Sequence, residues 1–219
     1  MNSVSYAFLN NAPVIPVIAI ENLDHAVPLA EALVAGGIVN LEVTLRTEHG
    51  LKAISLIRDQ VKGANVGVGT VCSANEFDAA IDAGANFVVS PGQSDALFER
   101  ALLTNIPFLP GAVTATEVMA AKEAGFKVLK FFPASTSGGA AAIKAFAGPF
   151  ADLQFVPTGG INLENASSYL SLSNVRAVGG SWLTPRDAIY SGQWDDITQI
   201  AREASELGAY LGEPLHGSC

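Results

Sequence analysis

The chain has 219 residues, 49% of them hydrophobic, a length that suits one domain burying roughly 70% of the surface its unfolded form exposes. Its 21 acidic residues outnumber 12 basic ones, for a formal net charge of -9, which excludes a broad nucleic-acid surface built on clustered Lys and Arg. Two cysteines, Cys72 and Cys219, supply neither a disulfide framework nor paired metal-ligand spacing and suit a reducing cytoplasm, while no leader-like stretch or apolar run near eighteen residues predicts export or a membrane span.

In chain order, short apolar or β-branched runs alternate with stretches of helical spacing. A strand is predicted over 14–20 and a helix over 23–35, then strand 38–45 and helix 48–60, strand 66–71 and helix 74–83, strand 87–90 and helix 95–103. The alternation continues with strand 107–109 and helix 115–124, strand 128–132 and helix 140–146, strand 154–157 and helix 163–170, strand 177–179 and helix 186–190. The strands are near-continuously apolar, as parallel strands buried on both faces are. Eight such units predict one (β/α)₈ TIM barrel spanning residues 1–219, with residues 1–12 as an extension; a doubly wound open sheet is the competing fold. Three joints repeat the same chemistry: Ala35-Gly36-Gly37, Asp82-Ala83-Gly84-Ala85 and Glu123-Ala124-Gly125-Phe126 each put Gly where a helix ends in the left-handed region. A final amphipathic helix over about 194–211 carries Ile197, Ile200, Ala201, Ala204 and Leu207 on one face, fit for packing or a subunit contact.

In a barrel of this kind the chemistry sits at the C-terminal ends of the strands. The second strand ends Glu42-Val43-Thr44-Leu45-Arg46, so Glu42 and Thr44 share one side and Glu42 is expected at the barrel mouth. A carboxylate between apolar neighbours is costly unless paired, here with Arg46 as the local partner, or used in proton transfer. The third strand ends Val68-Gly69-Thr70-Val71, where Gly69 lets backbone approach a ligand and the Thr70 hydroxyl offers a donor. Lys130 lies inside the apolar run Val128-Leu129-Lys130-Phe131-Phe132, whereas Lys52, Lys62, Lys122 and Lys144 fall on helices or loops. A lysine taken out of water favours the neutral amine, which attacks ketones to form a Schiff base; a strand-end lysine reaching for solvent is the plainer reading.

Two glycine pairs follow on adjacent strands, Thr158-Gly159-Gly160 and Gly179-Gly180-Ser181. Backbone N–H groups freed by glycine, with a helix N-terminus behind them and the Ser181 hydroxyl beside them, make a phosphate site that needs no cationic side chain. His25, His49 and His216 share no metal-ligand spacing, so neither a metal nor another cofactor is expected, and Cys72, with no histidine at a strand end to activate it, reads as a small packing side chain.

Taken in order, Glu42-Val-Thr-Leu-Arg46-Thr, Val68-Gly-Thr70-Val, Ser90-Pro91-Gly92, Pro110-Gly111, Lys130-Phe-Phe132-Pro-Ala, Pro157-Thr158-Gly-Gly160 and Gly179-Gly-Ser181-Trp resemble the class I 2-keto-3-deoxy-6-phosphogluconate (KDPG) aldolases. The resemblance covers about residues 13–185. It implies a (β/α)₈ barrel, commonly trimeric, acting on KDPG and often on 4-hydroxy-2-oxoglutarate. It also implies Lys130 as Schiff-base former, Glu42 as proton-transfer carboxylate, and Arg46, Thr70 and Thr158 near the pyruvate-derived carboxylate. Phe132 would shield the imine, Pro91 would line the substrate site, and Gly159, Gly160, Gly179, Gly180 and Ser181 would hold the phosphate. The Arg46 pattern speaks against the relatives specific for the galactonate epimer. Variation in Ser135-Thr-Ser-Gly-Gly139 and around Glu48-His49-Gly50 leaves substrate preference open. Two other readings stay alongside: a sugar-phosphate isomerase or epimerase on the same scaffold, and a non-catalytic sugar-acid phosphate sensor.

Overall fold

The computed structural model describes residues 4–10 and 12–207. Eight strands alternate with helices: β1 Val14–Ile18, α1 Ala26–Ala35, β2 Asn40–Thr44, α2 Gly50–Gln60, β3 Asn65–Gly69, α3 Ala74–Asp82, β4 Val88–Val89 and α4 Asp95–Leu102 open the chain. They are followed by β5 Phe108–Leu109, α5 Ala115–Glu123, β6 Val128–Phe131, α6 Gly139–Phe146, β7 Gln154–Pro157, α7 Ala166–Leu170, β8 Val178–Gly180, α8 Arg186–Tyr190 and α9 Trp194–Glu206. All pairings are parallel. One sheet has the order β5-β4-β3-β2-β1-β8, and β6 pairs with β7. Single bridges from Gly111 to Lys130 and from Thr158 to Gly179 link the two sheets on either side.

The three glycine joints behave alike because the same constraint acts at each. Gly37, Gly84 and Gly125 have φ of +89°, +91° and +98°. At the first, the Gly37 N–H donates to the Val34 carbonyl and the Ile38 N–H to Leu33; the same pair of bonds recurs at Gly84 and Ala85 and at Gly125 and Phe126. Each is a Schellman closure that satisfies the last carbonyls of a helix and buries the following apolar residue. It also explains why β2 starts at Asn40 rather than 38: Ile38 is still engaged in closing α1. At α7 the start moves from 163 to Ala166, because Asn162 and Asn165 cap the loop with each other's backbone first. Residues 23–25 form a short 3-10 turn ahead of α1, with the Asn22 side chain accepting from the Asp24 N–H. Helix α9 buries Ile197, Ala201 and Ala204 and packs on α1 at Gly36, where a Cβ would lie 2.4 Å from that of Ala201. The expected continuation to residue 211 lies outside the described residues.

Residues 6–9 are part of the core rather than an appended extension. Phe8 stacks on Phe87 with ring centroids 4.7 Å apart, Leu9 is 2% exposed, and the Tyr6 hydroxyl donates to the Phe108 carbonyl. With them cluster Ile15, Phe87, Val89, Leu109, Val128, Val156 and Ala177, side chains from or next to β1 and β4 through β8. The Asn40 side chain donates to the Phe8 carbonyl and accepts from that of Asn65, completing this end of the sheet.

Candidate active site

The opposite, C-terminal end of the strands gathers the polar residues expected at a site. Glu42 in β2 and Lys130 in β6 are 88 residues apart, yet Lys130 Nζ lies 3.1 Å from Glu42 Oε1, with the residues 4% and 3% exposed. The carboxylate therefore pairs with Lys130, not Arg46, and sits beneath the lysine rather than open at the mouth. A charge pair this deep is held by geometry more than by net stabilisation, since desolvation offsets most of the attraction. The Lys130 ammonium also lies 5.3 Å from the centroid of the Phe132 ring, which is 36% exposed and walls one side of the site.

Lys130 opens onto a cavity of about 230 Å³. Arg46, Thr70, Pro91, Phe132 and Thr158 line it together with Gly159, Gly160, Gly179, Gly180 and Ser181; Val17 and Ile161 complete the wall. The structure thus brings together Lys130 and the residues expected from the sequence to bind substrate, with Glu42 in contact with Lys130. Arg46 and Lys130 are the charged residues of the lining and no carboxylate joins them, so a protein of net charge -9 presents an anion-accepting pocket at this point. The Arg46 Nε donates to the Thr44 hydroxyl, which in turn donates to the Ile18 carbonyl, anchoring the guanidinium to β2 and β1.

Local backbone chemistry shapes the wall. Thr70 has φ +63°, the one non-glycine in the left-handed region among the described residues, a conformation that costs of order 1–3 kcal/mol and tends to persist at functional sites. Gly159 and Gly160, at φ +102° and +70°, turn the chain after β7 so that backbone rather than side chain faces the cavity. A Cβ at Gly179 would lie 2.2 Å from the Thr158 hydroxyl oxygen, itself buried and without a hydrogen-bond partner. The helix N-termini expected directly behind these loops stand farther along, at Ala166 and Arg186, so an anion here meets loop N–H groups first. At Gly111 a Cβ would lie 2.2 Å from the Pro91 carbonyl oxygen, so this glycine lets the Ser90–Gly92 turn close over the site, a constraint that its neighbourhood in sequence did not reveal.

Cys72 is exposed rather than packed, and partial burial followed by the neighbouring Glu76 carboxylate pushes its thiol up, away from the reactive thiolate. Among the described residues no group of three or more His, Cys, Asp or Glu is arranged to hold a metal ion, and no helix is long and apolar enough to cross a membrane.

A family model described as aldolase, KDPG and KHG aldolase, matches residues 6–200. The chain belongs to this family. It is 50% identical over 196 residues to the 2-dehydro-3-deoxy-phosphogluconate aldolase of Dickeya dadantii, covering 90% of this chain and 92% of the relative. It is 48% identical over 205 residues to the KHG/KDPG aldolase of Escherichia coli, covering 94% and 96%. Among solved structures, KDPG aldolase from Legionella pneumophila, with pyruvate captured at low pH as a covalent carbinolamine intermediate, superposes with a TM-score of 0.88 at 43% identity, covering 90% of this chain and 96% of that one. As a family member the chain is an α/β protein with parallel strands, and the enzyme reading of its site is favoured over a sensor or an isomerase.

Proposed function

We propose that the chain is a class I aldolase that cleaves KDPG to pyruvate and glyceraldehyde 3-phosphate, and 4-hydroxy-2-oxoglutarate to pyruvate and glyoxylate. The observation that carries this reading is the buried Lys130–Glu42 pair, 3.1 Å apart, opening onto a cavity with Arg46 and no acidic lining. The carbinolamine captured in the Legionella relative supports the same chemistry at an amine.

In this reading a proton passes from Lys130 to Glu42, and the free amine adds to the C2 ketone to give a carbinolamine. Glu42 returns the proton to the departing hydroxyl, water leaves, and the iminium becomes the electron sink. Glu42, now a carboxylate, removes the C4 hydroxyl proton; the C3–C4 bonding pair flows into the iminium and the aldehyde leaves. Protonation of the enamine at C3 and hydrolysis of the imine release pyruvate and restore the lysine. Well-placed proton transfer of this kind contributes roughly 10²–10⁴ in rate. Arg46, Thr70 and Thr158 would hold the keto-acid carboxylate, Phe132 and Pro91 would wall off the imine, and Gly159, Gly160, Gly179, Gly180 and Ser181 would bind phosphate.

The two bridges joining the sheets, and the core cluster that draws on β1 and β4 through β8, support a closed (β/α)₈ barrel acting as a single domain over 1–219. Homotrimeric assembly and a cytoplasmic location complete the proposal. Its test is release of pyruvate from KDPG by the wild-type protein, read with a coupled dehydrogenase. Lys130→Ala is expected to abolish release while the protein stays folded; near-full turnover by that variant would overturn the reading.

A further inference from the structure

We infer that Gly69 is a positioning residue for Glu42: the missing Cβ leaves the space in which the Glu42 carboxylate meets Lys130. A Cβ built at Gly69 would lie 2.1 Å from Glu42 Oε1 and 2.7 Å from its Cδ and Cγ, and these are its three nearest atoms. Oε1 is the same oxygen that Lys130 Nζ reaches at 3.1 Å. The backbone does not require glycine there, because Gly69 is not among the positive-φ residues.

Two residues earlier on β3, the contrast is instructive. A Cβ at Gly67 would enter the Phe87 ring at 2.4–2.5 Å, a packing collision in the core. On β3, then, Gly67 makes room for a packed ring and Gly69 for a functional carboxylate. An alanine methyl at 69 must displace the carboxylate by about 1 Å, and Glu42, 3% exposed, has no solvent to retreat into without leaving Lys130. A displacement of that size in a proton-transfer group reduces turnover by about 10²-fold.

This inference rests on Glu42 being the proton-transfer group, so the variants are compared in one set: Gly69→Ala, Glu42→Gln and the double variant Gly69→Ala/Glu42→Gln. Thermal melts, kcat and KM for pyruvate release and the pH profile of kcat are recorded for each. Gly69→Ala is expected to melt cooperatively, to lose about 10²-fold in kcat with a much smaller change in KM, and to alter the same limb of the pH profile as Glu42→Gln. The double variant should be no slower than Glu42→Gln alone, because the methyl acts only through the carboxylate. Wild-type kcat in Gly69→Ala, or losses that multiply in the double variant, overturns the inference while leaving Glu42 in place. Wild-type kcat in Glu42→Gln overturns the proton-transfer reading and the inference together. If Gly69→Ala does not fold, Gly69→Ala/Glu42→Ala, which removes the colliding side chain, should fold; its failure to do so shows that Gly69 serves packing and overturns the inference.

Discussion

Thr158→Val should make the protein more stable and a poorer enzyme. The Thr158 hydroxyl is buried, lacks a hydrogen-bond partner and lines the cavity beside Lys130. A hydroxyl left unpaired in a protein interior costs about 1–3 kcal/mol, and valine replaces it with a methyl of similar shape, next to the glycine at 179 that leaves it room. Taking the lower end, a gain of about 1 kcal/mol raises the melting temperature of a chain this long by roughly 2–4 °C. In the complex the same hydroxyl acquires a substrate partner, and losing that bond lowers kcat/KM by about tenfold, equivalent to about 1.4 kcal/mol. Differential scanning calorimetry of the free protein and steady-state cleavage of KDPG measure the two effects, with Thr158→Ser retaining the hydroxyl as the comparison. A lower melting temperature together with unchanged kcat/KM for Thr158→Val would refute the reasoning, since the hydroxyl would then be a structural group already satisfied.

Gly160→Ala forces a side chain into φ +70° and places its Cβ 2.1 Å from the Ser135 hydroxyl oxygen. We expect kcat/KM for KDPG to fall about tenfold, in line with strain of about 1–3 kcal/mol, and that for 4-hydroxy-2-oxoglutarate, which has no phosphate, to change little; equal losses in parallel assays would count against a phosphate role for this loop. Burial pushes the Tyr6 phenol up from 10.0 to about 12, so the folded state favours the neutral form. Its contribution is fully present below about pH 10 and is lost as pH rises through about 12. Urea midpoints recorded across this range should fall more steeply for the wild type than for Tyr6→Phe, and parallel curves would argue against the assignment.

Much of this was readable from sequence wherever a local rule was decisive. Lys130 stands out because a charged residue interrupts an apolar strand, and the three helix-ending glycines because a left-handed backbone at a helix end favours glycine. What local patterns hid was set by contacts between distant segments. Glu42 reads locally as a proton-transfer carboxylate or a partner for Arg46, four residues away, and only the folded sheet brings it to Lys130 from 88 residues downstream. Gly69 reads as an opening for ligand because its neighbour Glu42 on the adjacent β2 is not visible in its own motif. The Tyr6, Phe8 and Leu9 side chains formed too short a run to suggest an element, yet they close the lower end of the core. Strands β4 and β5, at two residues each, fall where turn residues bracket a short apolar run, although the sequence pattern runs two residues too long at the first and one too long at the second.

The most direct test of the central claim is to incubate the protein with pyruvate, reduce with sodium borohydride and map the product by peptide mass spectrometry. The account predicts a pyruvate-derived secondary amine on Lys130, absent without pyruvate and absent in Lys130→Ala. Folded, KDPG-cleaving protein that yields no adduct, or carries it on a different lysine, would contradict it.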